Sequence, residues 1–131
     1  ILFAGLQDDF STVLGDTWIY DLSDNTWKQK FPSTSPSARF GLAMANAGGD
    51  QVLLYAGQNA FTFSDTWVYD LSDNTWTQKS PATNPSAQSL HALAWIGSAK
   101  VLLFGSTGTW VYDLSDNTGT QKNPGTAPSL R

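Results

Sequence analysis

A chain of 131 residues with 40 % apolar and 14 % charged side chains has enough apolar material for one folded core, although an average soluble domain carries roughly 25 % charge. Its formal net charge of −4 excludes the basic face that nucleic acid or an anionic membrane surface would attract. No apolar run approaches the ~20 residues of a membrane-spanning helix, and the absence of cysteine excludes disulfides, Cys-ligated zinc and a thiol nucleophile.

No segment sustains a 3.6-residue apolar period, so no helix is predicted. The aromatic content of 13 %, with six Trp, suits strands. The apolar run ILFAG (Ile1–Gly5) is a strand, followed by the loop Gly5–Gly15. DTWIYDLSDNTWKQK (Asp16–Lys30) reads as two strands joined at Ser23-Asp24-Asn25, residue types that tolerate positive φ and bond their own backbone. A link with Pro32 and Pro36 leads to a strand predicted over Phe40–Asn46, a turn at Gly48-Gly49-Asp50 and the apolar run VLLYAG (Val52–Gly57). After the loop Gly57–Ser64, DTWVYDLSDNTWTQK (Asp65–Lys79) returns almost unchanged. A link with Pro81 and Pro85 precedes a strand over Leu90–Ile96, a turn at Ser98–Lys100, VLLFGS (Val101–Ser106) and GTWVYDLSDNTGTQK (Gly108–Lys122). Pro124 and Pro128 mark a third link.

Neighbouring copies of the fifteen-residue segment differ at two positions, and Trp18, Trp67 and Trp110 are spaced by 49 and then 43 residues. Such a period marks a repeat architecture. Each unit holds four short strands: a (Phe40–Asn46 or Leu90–Ile96), b (the VLLYAG run), c (TWVYDL) and d (NTWTQK). Strand b is apolar almost throughout, and strand c alternates Trp, Val and Tyr, so neither face is polar. A sheet apolar on both faces must be covered on both, and a four-stranded unit covered by copies of itself is a propeller blade. The expected fold is all-β: a β-propeller segment of four-stranded antiparallel blades forming an incomplete ring. Residues 1–30 supply strands b–d of a first blade, 38–79 a second, 87–122 a third, and 128–131 the start of another.

A Gly closes strand b (Gly5, Gly57, Gly105), a TW-x-YD segment follows (Trp18/Tyr20, Trp67/Tyr69, Trp110/Tyr112), and a second Trp comes next (Trp27, Trp76). With Arg39-Phe40-Gly41 opening strand a, this pattern resembles the kelch-repeat family over almost the whole chain. It departs from the family where Ala-Gly or Gly-Ser replaces the paired glycine and where Leu42 replaces the usual His. It departs again at Gln88-Ser89-Leu90-His91 and where Gly119 replaces the second Trp. A propeller closes with roughly four to eight blades, and fewer than three whole ones are present. Further blades are expected from a longer chain or from other copies. A two-chain ring would lack a strand a at each junction, which favours the longer chain.

Chain direction puts loops a–b and c–d at one end of the blades and loops b–c and d–a at the other. The second set is longer and variable, the usual place for binding on a rigid scaffold. The candidate contact residues are Asp8, Asp9, Phe10, Asn59, Phe61 and Phe63, with Arg39 and Gln88 nearer the central channel. The plainer alternative is solvated loops with aromatics laid on the blade edge. His91 is expected to pack in strand a, because a general base needs a partner at hydrogen-bond reach and none is marked. Asp21, Ser23, Asp24 and Asn25 lack the alternate-residue spacing and bidentate Glu of an EF-hand loop, so the turn accounts for them. The strand-c Trp and Tyr recur in every unit, as inter-blade core does and sugar platforms need not. No metal and no cofactor are expected.

The resemblance implies a non-catalytic module for a protein partner, with no nucleic acid and no membrane insertion. Two other readings stay open: a carbohydrate-binding or structural cell-surface protein, and part of a propeller enzyme whose catalytic residues lie elsewhere. Kelch-like enzymes of the galactose oxidase type use a Cys linked to Tyr and a copper held by His and Tyr. With no Cys and one His, these residues do not contain that site. The low charge and the Ser, Thr, Asn and Gly content suit an extracellular or surface protein of a prokaryote.

Overall fold

Strands form where β-branched and aromatic residues cluster, and they stop at left-handed turn residues. The computed structural model describes residues 1–129. The first sheet is β1 (Leu2–Leu6), β2 (Val13–Asp21) and β3 (Thr26–Lys30). The second is β4 (Ala43–Gly48), β5 (Gln51–Tyr55), β6 (Thr66–Asp70) and β7 (Thr75–Lys79). The third is β8 (Ala92–Gly97), β9 (Lys100–Gly105), β10 (Gly108–Asp113) and β11 (Thr118–Lys122). Every pairing is antiparallel between consecutive strands. The chain is therefore all-β, built of three separate antiparallel sheets as an incomplete propeller.

The sheets differ from the sequence expectation in three places. Strand a starts later, at Ala43 and Ala92, because Gly41 (φ 62°) and Leu90 (φ 60°) turn the backbone left-handed just before it. Phe40 makes only a single bridge, to Gln58. The first b–c loop is shorter than Gly5–Gly15, because Val13 pairs with Leu6 and Leu14 with Gly5 across a bulge, extending β2. Pro128 and Ser129 carry no strand, and the expected opening at 128–131 otherwise falls on residues outside the described ones.

The near-identity of the YDLSDNT text follows from the turn it builds. The strand-c aspartates Asp70 and Asp113 each accept from a backbone amide and hydroxyl two residues on, at Ser72 and Ser115. Asp73 and Asp116 accept from the Thr75 and Thr118 hydroxyls. Asn25, Asn74 and Asn117 sit at φ 58°, 60° and 58°, a region Asn tolerates better than most residues. The Asn74 and Asn117 side chains each accept from the strand-c Tyr hydroxyl at 2.7 Å. The first sheet repeats the pattern through Asp21, Asp24 and Tyr20. The polar groups of the turn thus bond one another.

Two cores lie between the sheets. Between the first and second, Phe3, Ala4, Leu54, Tyr69 and Trp76 are buried together. Between the second and third, Leu53, Tyr55, Val68, Val101 and Leu103 are buried with Trp110 and Tyr112 against them. Successive side chains of a strand point to opposite faces, so Leu54 serves one seam and Leu53 the other. The middle sheet is covered on both faces, as its two-sided apolar pattern requires.

Candidate functional site

The b–c loops are unequal. Gln7–Thr12 joins β1 to β2 and Ala56–Asp65 joins β5 to β6, whereas Ser106-Thr107 alone joins β9 to β10. That tight third hairpin accounts for the shorter spacing between the last two repeats.

The first loop is closed by its own bonds. Gln7 N donates to Thr12 O and Phe10 N to Gln7 O, both at 2.9 Å. Asp9 accepts from the Ser11 amide at 2.9 Å and the Ser11 hydroxyl at 2.7 Å, and these bonds hold its carboxyl below its ordinary pKa. Phe10 stands at the tip with φ 57° and 80 % of its surface exposed. Asp8 is exposed beside it.

The second loop is anchored more deeply. Phe63 N donates to Gly57 O at 2.8 Å, Asn59 N donates to Phe61 O at 3.0 Å, and the Asn59 side chain donates to Ala38 O at 2.8 Å. Asn59 is therefore a loop anchor. Phe63 is half-buried beneath the Arg39 guanidinium, 4.0 Å from its ring centre, a cation–π distance. Phe61 packs edge-on to Phe63 at 5.0 Å and is 66 % exposed. Phe61 and Phe63 rim an open groove that continues past Gln78, Lys79, Pro81 and Asn84.

Arg39 and Gln88 do not face solvent. Arg39 is 1 % exposed. Its amide donates to Leu14 O and its carbonyl accepts from Gly5 N, both on the first sheet. Its guanidinium grips the Asp65 carboxylate with two nitrogens, at 2.5 and 2.9 Å, and donates to Ala56 O at 3.0 Å, at the two ends of the loop that leaves and re-enters the second sheet. One residue thus staples two sheets, and its charge is matched by a bidentate partner. Burial raises the Asp65 pKa, but the bonds from Arg39 and Trp67 and the guanidinium charge outweigh it, leaving the carboxyl below its ordinary value. Gln88 repeats the backbone staple, to Gly57 and Phe63, without the ion pair. Where Asp65 would recur the chain has Gly108. Asp65 is the residue that sequence reading missed. The signal for it was the paired change, Arg39 to Gln88 together with Asp65 to Gly108, one repeat on.

His91 packs edge-on to Tyr55 at 5.5 Å, and burial lowers its pKa. Among the described residues neither ring nitrogen has a protein hydrogen-bond partner. It is a buried ring packed on Tyr55.

Three antiparallel sheets stacked through apolar seams, with tight turns at one end and unequal loops at the other, define a repeat protein of the β-propeller class. The model of the KLHDC2/KLHL20/DRC7 Kelch-repeats domain matches residues 1–106, and the chain belongs to the kelch-repeat family. No curated protein matches it.

Proposed function

We propose that this kelch-repeat segment is a non-catalytic binding module that presents its b–c loop end to a protein partner. One observation carries the reading. Phe10 and Phe61 are 80 % and 66 % exposed on loops whose backbones are fixed by internal bonds, while the scaffold beneath is shared between repeats. An exposed aromatic held on a closed loop loses little conformational entropy on binding and buries a large area. Asp8 adds a solvated charge beside Phe10, the usual rim of such an anchor. Of the eight candidate residues, Asp8, Asp9, Phe10 and Phe61 form the contact set. Arg39, Asn59, Phe63 and Gln88 support it from below.

A photo-crosslinking side chain placed at position 61 in the whole chain tests this. It should capture polypeptide at least tenfold more strongly than one placed at Leu71, at the opposite end. Phe10→Ser should cut the capture. Equal capture from both ends, or glycan-array binding with no polypeptide captured, would overturn the reading.

A further inference from the structure

Strand d ends on a lysine in all three sheets, and in the same register: Lys30 faces Thr17, Lys79 faces Thr66 and Lys122 faces Thr109. Among the described residues these three are also the lysines and arginines without an ion pair. Lys28 is held by Asp21 and Asp24, Arg39 by Asp65 and Lys100 by Asp113. Their surroundings differ. Lys30 shares its groove with Asp16, whose Oδ1 is buried and accepts no hydrogen bond among the described residues, so a carboxylate brought there would meet a like charge. Lys122 is exposed, and the hairpin leading into its partner strand β10 is Ser106-Thr107, with no aromatic. Lys79 is half-buried in the groove rimmed by Phe61 and Phe63, about 460 Å³ in volume and within the ~300–1,000 Å³ of ligand sites. The acid in this groove is already matched, since Asp65 is bound by Arg39 and Trp67. The Asn84 amide donates to Ser64 O and Pro85 O. Among the described residues that line the groove, Lys79 is the unmatched charge.

We propose that Lys79 is the specificity-determining residue of this groove, seating one aspartate or glutamate side chain of a polypeptide whose neighbouring apolar side chain lies on Phe61 and Phe63. This rests on the protein-binding reading above and names what that partner must carry. Partial burial strips water from the ammonium, and a carboxylate offsets the loss through a charge-assisted hydrogen bond. Phe61, edge-on to Phe63 and 66 % exposed, gives the apolar neighbour an aromatic wall. The net charge of −4 opposes an acidic tract at longer range, so a single acidic side chain is specified rather than a run of them. Of three lysines in one register, only the middle one combines an unopposed charge with an aromatic wall.

The test uses the whole chain and a positional-scanning library of N-acetylated, C-amidated hexapeptides, which carry no terminal charge. The protein should select Asp or Glu at one position at least tenfold over Asn or Gln, with an apolar residue next to it. Lys79→Gln should bring that selection below threefold and Lys79→Arg should keep it, while Lys30→Gln and Lys122→Gln leave it unchanged. Phe61→Ser should weaken the apolar preference and spare the acidic one. Peptides selected without an acidic residue, or an acidic selection that survives Lys79→Gln or is lost equally in Lys122→Gln, would overturn the inference and leave the loop-end reading standing. No peptide selected would overturn it as well, and if position 61 also captures no polypeptide, the loop-end reading goes with it. A glycan bound through Lys79 in place of any peptide would end both.

Discussion

The two seams of the molecule are built from one repeat and closed by different means. At the first, Trp76 of β7 is 4 % exposed and wedges between Phe3 and Tyr69, 5.0 Å from each ring. Its indole donates to the Thr17 hydroxyl at 3.1 Å. At the second, Gly119 stands in the Trp position, and a Cβ there would collide with the Thr83 carbonyl. The Thr83 hydroxyl donates to Gly119 O at 2.6 Å, and the Tyr55 hydroxyl donates to Pro85 O at 2.6 Å. The proline link thus occupies in one seam the space the indole fills in the other. Indole and link compete for one slot, so the loss of the repeated Trp at Gly119 goes with a different closure rather than a degraded one.

The largest expected effect breaks the indole wedge. Trp76→Ala removes a buried aromatic and should cost about 3–5 kcal/mol, measured by denaturant unfolding. The same change at Trp27, whose ring is half-exposed on the open face of the first sheet, should cost less than about 1 kcal/mol. Gly119→Ala should cost about 1–3 kcal/mol, because the link must move. Equal costs at Trp27 and Trp76 would mean that the seams do not differ as described.

The corners sharpen the same contrast. Arg39→Gln imports the third-sheet residue and leaves Asp65 without its partner. Breaking a buried pair costs about 3–5 kcal/mol, and about 2–3 is expected here because the Asp65 side chain is 19 % exposed. The double change Arg39→Gln with Asp65→Asn should cost less than the sum of the two single changes by about 1–2 kcal/mol. The pair also sets an acid response. A carboxyl whose folded pKa is depressed contributes stability that is full above its unfolded value of ~3.9 and is lost as pH falls through the folded value. Wild type should therefore lose more stability between about pH 4 and the folded pKa than the double variant does, seen as a steeper fall in unfolding midpoint. Parallel curves would remove Asp65 from the acid response.

The repeat made the strands and both apolar faces legible, because the same Trp, Val and Tyr alternation returns three times. The corner was not legible in the same way. Arg39 and Asp65 are 26 residues apart, and the pair occurs once among the described residues, so only its joint absence in the third unit pointed to it. Strand a was read too early because Phe40–Leu42 is apolar, and an apolar run does not reveal that Gly41 and Leu90 turn left-handed. Val13–Gly15 hid in a loop because three residues cannot display a period. Of the site residues, loop position was legible and exposure was not. Phe61 and Phe63 look alike in sequence, yet one faces solvent and the other lies under a guanidinium.

The smallest expected effect separates identical turns by their surroundings. Asn25 and Asn74 occupy the same place with φ 58° and 60°, and both side chains accept from a strand-c tyrosine. Glycine tolerates that backbone at no steric cost, so Asn→Gly at either site removes the side-chain bond while sparing the turn. Tyr69 is fully buried in the first seam, whereas Tyr20 lies on the open face of the first sheet and is exposed. Water can replace the lost partner of Tyr20 far more readily than that of Tyr69. Asn74→Gly should therefore cost about 1 kcal/mol, and Asn25→Gly only a few tenths, in paired thermal melts. An equal cost at both sites would place the strength of the turn wholly within its own residues and remove the seam from the account.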